Sequence, residues 1–576
     1  MTELKGIAAA NGISIGVAHK IGKEDFIVPK NNITEAQIPL EIQLFEEALI
    51  KTRREIIELQ KRIGYDMGKN EAQIFDAHLL VLEDRMLIEE VISRLKKDKL
   101  NVAFIFQEVL KKYVSIFAKI EDEYLKERIS DINDVGRRIL RNILGKERKG
   151  LSELKEKVII VAHDLSPSDT AAMHKKRVSA FVTDVGGKTS HTAIMAKSLE
   201  IPAVVGVQNA TTEINAGDIL IVDGALGLVI VDPDQKTLDL YHTEEEKLRG
   251  VNEKLLSAKD LPAITLDGVK VEINANIEFP DEVSGVKLHG GEGIGLYRTE
   301  FFYMNRKDSP SEDEHYLSYK YVAEQMNPYP VIIRTIDLGG DKFLSQFQIP
   351  HEMQPFLGWR AIRFCLAHPE IFKLQLRAIL RASVHGNLKL MYPMISGIEE
   401  LRQANKILDE AKEELRSKGV PFDEDIQVGA MIEVPSAAMT ADILAKEADF
   451  FSIGSNDLIQ YSLAVDRANE KVAYLYEPAH PAVLRLIKNI IDSAHKGDIN
   501  VGMCGEMAGE PSLALILLGM GLDEFSVPPQ VIPELKYLIR SITLKQAKEI
   551  ADEALKLSTG REVEDYAQSK LKEILK

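Results

Sequence analysis

The spacing of apolar positions changes along the chain and marks out its parts. Residues 1–22 hold short strand-like runs rich in Gly and Ala. From Glu35 the spacing lengthens: Phe45, Leu49, Thr52, Ile56, Leu59 and Ile63 follow at steps of three and four, one stripe of a helix. Similar spacing, with charged residues on the opposite faces, continues to about Leu144, and Gly145 and Gly150 close the segment. From Lys157 the period shortens, and KVIIVAHD, SAFVTDV, IPAVVGV, ILIVDG and LGLVIVDP predict the strands of a compact α/β unit. The strands of 1–22 are expected to join that unit, with the helical segment inserted in it. Residues 233–260 are highly charged and helix-prone, the pattern of a linker helix.

From residue 261 strands and helices alternate to the end. Eight strand-like runs stand out: VEINANI (271–277), GIGLY (293–297), VIIRT (331–335), LKLMYP (388–393), QVGAMIEV (427–434), FFSIG (450–454), NVGMC (500–504) and EFSV (524–527). Eight βα units predict a (β/α)8 TIM-type barrel, whose usual size is about 250 residues before insertions. The fold class is multidomain α/β.

Composition narrows the function. The 89 acidic residues outnumber the 72 basic ones, for a net charge of -17, which argues against nucleic acid as the main partner and suits a basic protein partner. Two cysteines, Cys365 and Cys504, make no disulfide framework. The N-terminal MTELKGIAAANG lacks a basic-then-apolar signal pattern, and the longest apolar stretch, near Leu513–Leu522, is far short of the ~20 residues of a membrane span. A soluble, cytoplasmic protein without membrane insertion is expected.

The first candidate chemistry lies in VTDVGGKTSHTAIMAKSLEIPAVVG. A strand runs into Gly186 and Gly187; Lys188, Thr189, Ser190 and His191 then open a helix. Backbone N–H groups at a helix start have no intrahelical partner, and with the helix dipole they stabilise a phosphate carried on an imidazole. The same field favours neutral imidazole, the form that attacks phosphorus. The glycines permit close backbone approach, and Thr189 and Ser190 supply hydroxyls. The plain alternative, Ser190 as a helix cap beside an ordinary polar histidine, is outweighed by the whole run in its strand–turn–helix setting. A nucleotide P-loop is excluded, because Val182 stands where G-x-x-x-x-G-K-[ST] requires its first Gly. In AHDLSPSDT, Thr170 reads either as a partner that fixes the histidine tautomer or as a helix cap.

In a barrel of this kind, strand C-termini carry the chemistry. Arg298 follows GIGLY, Arg334 ends VIIR, Glu433 ends GAMIE, Asn456 and Asp457 follow FSIG, and Cys504 ends VGMC. Two guanidiniums suit the oxygens of a phosphate, and two carboxylates with phosphate and water suit octahedral Mg2+. Arg467 is near enough in sequence to reach the same mouth. Each residue alone reads as a solvated loop group; together on the strand ends of one barrel they point to a site. Cys365 has no such context and reads as helix packing.

GGKTSHTAIMAKSLEIPAVVG, GIGLYRTEFFYMNR, RTIDLGGDK, PFLGWRAIR, FFSIGSNDLIQYSLAVDR and GMCGEMAG, in this order, resemble enzyme I of the bacterial phosphoenolpyruvate:sugar phosphotransferase system, over essentially the whole chain. The resemblance implies a swivelling phosphohistidine α/β domain (1–22 and 147–232), an inserted all-helical subdomain that binds the histidine phosphocarrier protein HPr (23–146), a linker helix (233–260), and a phosphoenolpyruvate-binding and dimerising barrel (261–576). It implies Glu433 and Asp457 as Mg2+ ligands, Arg298, Arg334, Arg467 and Asn456 as substrate-binding groups, His191 as the nucleophile through Nε2, Cys504 as the proton donor to the enolate, and a homodimer paired through the barrels. The histidine motif is shared with pyruvate phosphate dikinase and phosphoenolpyruvate synthase. Those enzymes charge the histidine from ATP and need a further ATP-grasp domain, for which residues 1–146 are too few and too helical. The chain departs from the family pattern at Gln354, usually Asn, and at SVPPQ (526–530). A different reading, a regulatory phosphoprotein that senses phosphoenolpyruvate without turnover, leaves a proton donor such as Cys504 without a purpose.

Overall fold

The computed structural model describes residues 1–21, 28–66, 75, 78–117, 123–146, 157–165, 177–187, 190–199, 201–303, 309–339, 357–467, 469 and 471–575. The chain forms two compact units, Met1–Val251 and Asn252–Lys576.

In the first unit a single eight-stranded sheet draws on both ends of the segment. Strands β1 (Thr2–Lys5), β2 (Ile7–Ala10) and β3 (Ile13–Ile21) pair with β4 (Val158–Ala162), β5 (Val178–Thr183), β6 (Ala203–Val205), β7 (Ile219–Asp223) and β8 (Leu228–Val231) in the order β1-β8-β7-β3-β4-β5-β6-β2. The run β3-β4-β5-β6 is parallel and the flanking pairs are antiparallel. Parallel strands covered on both faces read as continuous apolar runs, and Ile159, Ile160, Val161 and Phe181, Val182 are fully buried. Alternate residues of these strands enter separate cores on the sheet's two faces, Ile159 and Val161 on one, Ile160 and Phe181 on the other.

Between β3 and β4 stand helices Ile38–Asp66, Arg85–Asp98, Val102–Phe117 and Glu123–Ile143. They have a core of their own that contains Phe45, Ile56, Val91, Phe106 and Val135. Thr52, the polar member of the stripe read in the first of these helices, is fully buried; its Oγ1 donates to the Ala48 carbonyl (2.7 Å) and accepts from Asn142 Nδ2 (2.9 Å). The Ile63 side chain lies outside the described residues. Helix Gln235–Ala258 carries the chain from the first unit into the second.

The second unit closes as a barrel of eight parallel strands: β9 (Glu272–Ile277), β10 (Ile294–Tyr297), β11 (Val331–Arg334), β12 (Leu388–Tyr392), β13 (Val428–Ile432), β14 (Phe450–Ile453), β15 (Asn500–Met503) and β16 (Glu524–Val527), the last pairing back to β9. Every strand-like run of the sequence beyond residue 261 is one of these staves. Leu296, Ile332, Met391, Met431, Phe450 and Cys504 form a compact interior layer. On the β16 side the interior is built from small and polar residues instead. A Cβ on Gly295 would fall 2.5 Å from Ser526 Oγ and in contact with the Glu524 carboxylate, so only glycine fits there. Burial pushes the Glu524 carboxyl up to about 7. No helix among the described residues is long and apolar enough to cross a membrane.

Candidate active site

All the charged strand-end residues singled out from the barrel sequence line one cavity of about 510 Å³. Arg298, Arg334, Glu433, Asn456, Asp457, Arg467 and Cys504 are brought together there. All but Arg467 converge because each follows or ends a parallel strand, and closure of the barrel points every strand C-terminus at one mouth; Arg467 reaches it from the loop after helix Ser455–Leu463. Asn456 and Asp457 stand in the first turn of helix Ser455–Leu463, directly after β14.

The structure adds partners that the strand-end pattern did not single out. Arg334 is nearly enclosed; its Nη2 donates to Glu300 Oε1 (2.8 Å), and its Nη1 approaches Asp337 Oδ2 (2.9 Å). Arg360, from GWRAIR, donates from Nη2 to Asp337 Oδ1 (2.7 Å) and lies 3.4 Å from Asp457 Oδ2. Asp337 thus bridges two guanidiniums. Burial would raise its carboxyl, but Arg334 and Arg360 outweigh it and hold the group below the carboxylate range. Arg298 pairs with Glu278. Asn456 and Glu506 bond reciprocally: Nδ2 to Glu506 Oε1 (3.1 Å), and the Glu506 N–H to Asn456 Oδ1 (3.0 Å).

Glu433 and Asp457 behave in the opposite way to Asp337. Glu433 is almost completely buried, with Oε1 accepting the Met394 N–H (2.6 Å). Burial and the charges of Asp457 and Asp337 push its carboxyl well up. Asp457 is likewise raised by burial against the pull of Arg360. Four guanidiniums and six carboxylates line the cavity. That excess of negative charge, with two carboxyls raised in one place, is what a divalent cation offsets. Among the described residues no group of three or more His, Cys, Asp or Glu is arranged to hold a metal by itself. A site of two carboxylates fits an ion that takes its other ligands from phosphate and water, the habit of Mg2+.

Cys504 sits at the cavity floor, 4% exposed, with Sγ 3.8 Å from the Ile453 carbonyl. Burial pushes its thiol up to about 11. The SVPPQ stretch is tied to the Cys504 backbone through Asn276: Ser526 Oγ donates to Asn276 Oδ1 (2.7 Å), and Asn276 Nδ2 donates to the Cys504 carbonyl (3.1 Å). Gln354 lies outside the described residues.

In the first unit, helix His191–Leu199 begins at His191. Ser190 caps it, with Oγ accepting the Ala193 N–H at 3.3 Å, while the Ser190 N–H donates to the Gly187 carbonyl at 3.0 Å. Gly186 has φ +121, and a Cβ there would press on Ser190 Oγ at 3.1 Å, so both backbone and space call for glycine. The Ser190 cap and a His191 at a helix start coexist, since the cap precedes the histidine by one residue. Thr170, Thr189 and the His191 side chain lie outside the described residues.

Just before this turn Asp184 is buried, its carboxylate accepting the Thr211 N–H (2.9 Å), the Thr211 hydroxyl and His163 Nδ1 (3.0 Å). Burial raises its carboxyl, but the bonds from Thr211 and His163 win and hold it below the ordinary value of an aspartate. A folded value below the unfolded one means the stabilisation is complete above the unfolded value and disappears as pH falls through the folded one. Asp184→Asn is therefore expected to lower the melting temperature at neutral pH, with the gap from the unsubstituted chain narrowing below about pH 4. Melting curves of both proteins from neutral to acid pH check this; a gap independent of pH would refute it.

The chain matches the family description "PEP-utilising enzyme, PEP-binding domain" over residues 252–544, "PEP-utilising enzyme, N-terminal" over 5–128 and "PEP-utilising enzyme, mobile domain" over 154–227. It is 46% identical over 565 residues to the phosphoenolpyruvate-protein phosphotransferase of Bacillus sp. (strain S), covering 98% of this chain and 97% of that one. The chain belongs to the phosphoenolpyruvate-protein phosphotransferase family. Its relatives of that name extend to Haemophilus influenzae, at 45% identity over 570 residues and 99% of each chain, and to Bacillus subtilis, at 46% over 572 residues, 99% of this chain and 100% of the relative. The cavity at the barrel mouth falls inside the region matched to the description "PEP-utilising enzyme, PEP-binding domain".

Proposed function

We infer that this chain takes the phosphoryl group of phosphoenolpyruvate onto its own His191 and passes it to a histidine of the phosphocarrier protein HPr, the opening step of a sugar phosphotransferase system. The observation that carries this reading is the convergence of four arginines, two raised carboxyls and a protonated thiol in one cavity of the barrel.

Arg298, Arg334 and Arg467, with Arg360, supply forked donors for the phosphate and carboxylate of the substrate, and Asn456 adds an amide. Glu433 and Asp457 would hold Mg2+, which when bound supplies neutralising charge to the phosphate oxygens. His191 Nε2 attacks the phosphorus in line. The N–P bond forms as the P–O bond to the enol oxygen breaks, and the electron pair leaves with the enolate. The Cys504 thiol gives its proton to the methylene carbon, which yields pyruvate. Gly186, Gly187 and Ser190 shape the turn at the helix start that holds the phosphoimidazole, Thr189 supplies a hydroxyl to it, and Thr170 serves to fix the ring tautomer. One histidine cannot meet donor and carrier at once, so the phosphohistidine domain (1–22 and 147–232) swings on the 233–260 linker between the barrel (261–576) and a carrier docked on 23–146. The barrels pair two chains, and the protein works in the cytoplasm.

The test is incubation with 32P-phosphoenolpyruvate and Mg2+. Acid-labile, base-stable label is expected on the unsubstituted chain and not on His191→Ala, and the label should chase onto HPr. Label that persists on His191→Ala would overturn the assignment of the nucleophile. No label on either protein would favour a phosphoenolpyruvate sensor without turnover.

A further inference from the structure

We propose that the buried amide of Gln375 is the positioning group that sets the Arg334 and Asp337 loop against the Arg298–Glu300 loop, acting through the Thr299 hydroxyl. The proposal rests on the reading of the cavity as the phosphoenolpyruvate site.

Gln375 lies on helix Pro369–Ala382, outside the barrel staves, and is fully buried. Its Oε1 accepts the Ile336 N–H at 3.1 Å. A backbone N–H can only donate, so that bond decides which way round the amide stands. The two amide hydrogens must then point at Thr299 Oγ1 (3.1 Å) and the Tyr319 hydroxyl (3.2 Å). Both hydroxyls, having accepted, send their own protons onward. Thr299 Oγ1 donates to the Arg334 carbonyl at 2.9 Å. Tyr319 donates to His315 Nδ1 at 2.9 Å, which leaves the His315 proton on Nε2, directed at the Tyr303 hydroxyl at 3.2 Å. One donor-only group thus orients every bond from the active-site strand β11 to a histidine deep in the helical layer. Thr299, Gln375, Tyr319 and His315 are all 0% exposed.

The two loops this chain joins are the ones that carry charge into the cavity. Thr299 stands between Arg298 and Glu300, and Ile336 precedes Asp337; those three neighbours line the site. The Arg334 side chain bonds across from one loop to the other, to Glu300 and to Asp337. A guanidinium holding both carboxylates keeps its donors aimed only if the loops stay in register. A polar network placed where an aliphatic side chain would pack is costly unless every member is satisfied, and here each is satisfied in a single direction. An apolar helix residue at 375 would fill the same space and fix no orientation.

The test compares Thr299→Val, which keeps the shape and loses the hydroxyl, with Thr299→Ser, which keeps the hydroxyl. Four quantities are read: KM and kcat for phosphoenolpyruvate in His191 labelling, the melting temperature, and charging of His191 backwards from phosphorylated HPr. Thr299→Val is expected to raise KM about five- to tenfold, the worth of one buried hydrogen bond. Back-charging from HPr, which does not use the barrel, should stay as in the unsubstituted chain, and Thr299→Ser should recover most of the KM. Gln375→Met, of similar volume, reads the same link should Thr299→Val not fold. A lowered melting temperature with unchanged KM in Thr299→Val or Gln375→Met would make the network merely structural and overturn the proposal, as would a serine variant as impaired as the valine one. An unsubstituted chain that takes no label would overturn the phosphotransferase reading instead, so the two failures are told apart.

Discussion

Arg334→Ala is expected to cut the rate of His191 labelling from phosphoenolpyruvate by on the order of 10³-fold, as loss of a charge-stabilising donor does, and to destabilise the barrel by about 3–5 kcal/mol. Both effects have one origin. The Arg334 side chain is 11% exposed, and its guanidinium pairs with Glu300 and Asp337 at the end of β11. Burial opposes its charge, yet Glu300, Asp337 and Glu433 together outweigh burial and raise its pKa. Without it those largely buried carboxylates face one another uncompensated, a strongly destabilising way to break an ion pair. The substrate also loses a forked donor. Arg334→Lys keeps the charge but not the fork, because one ammonium cannot span both carboxylates. It should recover much of the stability and little of the rate. Urea unfolding and single-turnover labelling measure the two separately; a lysine variant with full activity, or an alanine variant labelled at near-native rates, would show that Arg334 only holds the loops.

Cys504→Ala should lower kcat for pyruvate formation by about 10²–10⁴-fold, the range for loss of a general acid, with phosphoenolpyruvate binding changed little. The thiol is pushed up to about 11, so it remains protonated through the neutral range and is poised to give a proton. The rate should accordingly show no loss from Cys504 ionisation below about pH 10. Alkylation of the unsubstituted protein by iodoacetamide near neutral pH should be slow, since the thiolate is the reactive form. Cys365 is the internal control: it is also buried and its thiol also raised, but it packs in the helix-side core and is not among the described residues that line the barrel-mouth cavity. Cys365→Ala should leave kcat unchanged. A Cys504→Ala chain that turns over at the native rate would mean that water or another group protonates the enolate.

The elements of this protein were legible because their signals are local. Strands buried on both faces need unbroken apolar runs, so VIIVA and VGAMI announce β4 and β13 without any knowledge of their neighbours. The turn before His191 is equally local: Gly186 needs a positive φ, Ser190 caps the helix it precedes, and both requirements are met within five residues. In the barrel, position at a strand end is itself the clue, and Arg298, Glu433, Asp457 and Cys504 were found by that rule alone.

The tertiary structure decided what depends on distant residues coming together. Arg360 and Asp337 fall in runs that carry the family resemblance, but nothing in the sequence marks them as partners of one another; only barrel closure sets them 2.7 Å apart and makes Asp337 a bridge between two guanidiniums. Whether a carboxyl is raised or lowered was likewise invisible. Asp337 and Asp457 are the same residue type in the same cavity, yet one is held low by two arginines and the other pushed up by burial. The amide of Gln375 gives no sign in its helix of the two loops it joins, 39 and 76 residues away in the chain. Apolar period, turn chemistry and capping are properties of a few consecutive residues, and the sequence alone determined those. Charge pairing, desolvation and hydrogen-bond direction depend on which surfaces meet, and only the closed barrel brings those surfaces together.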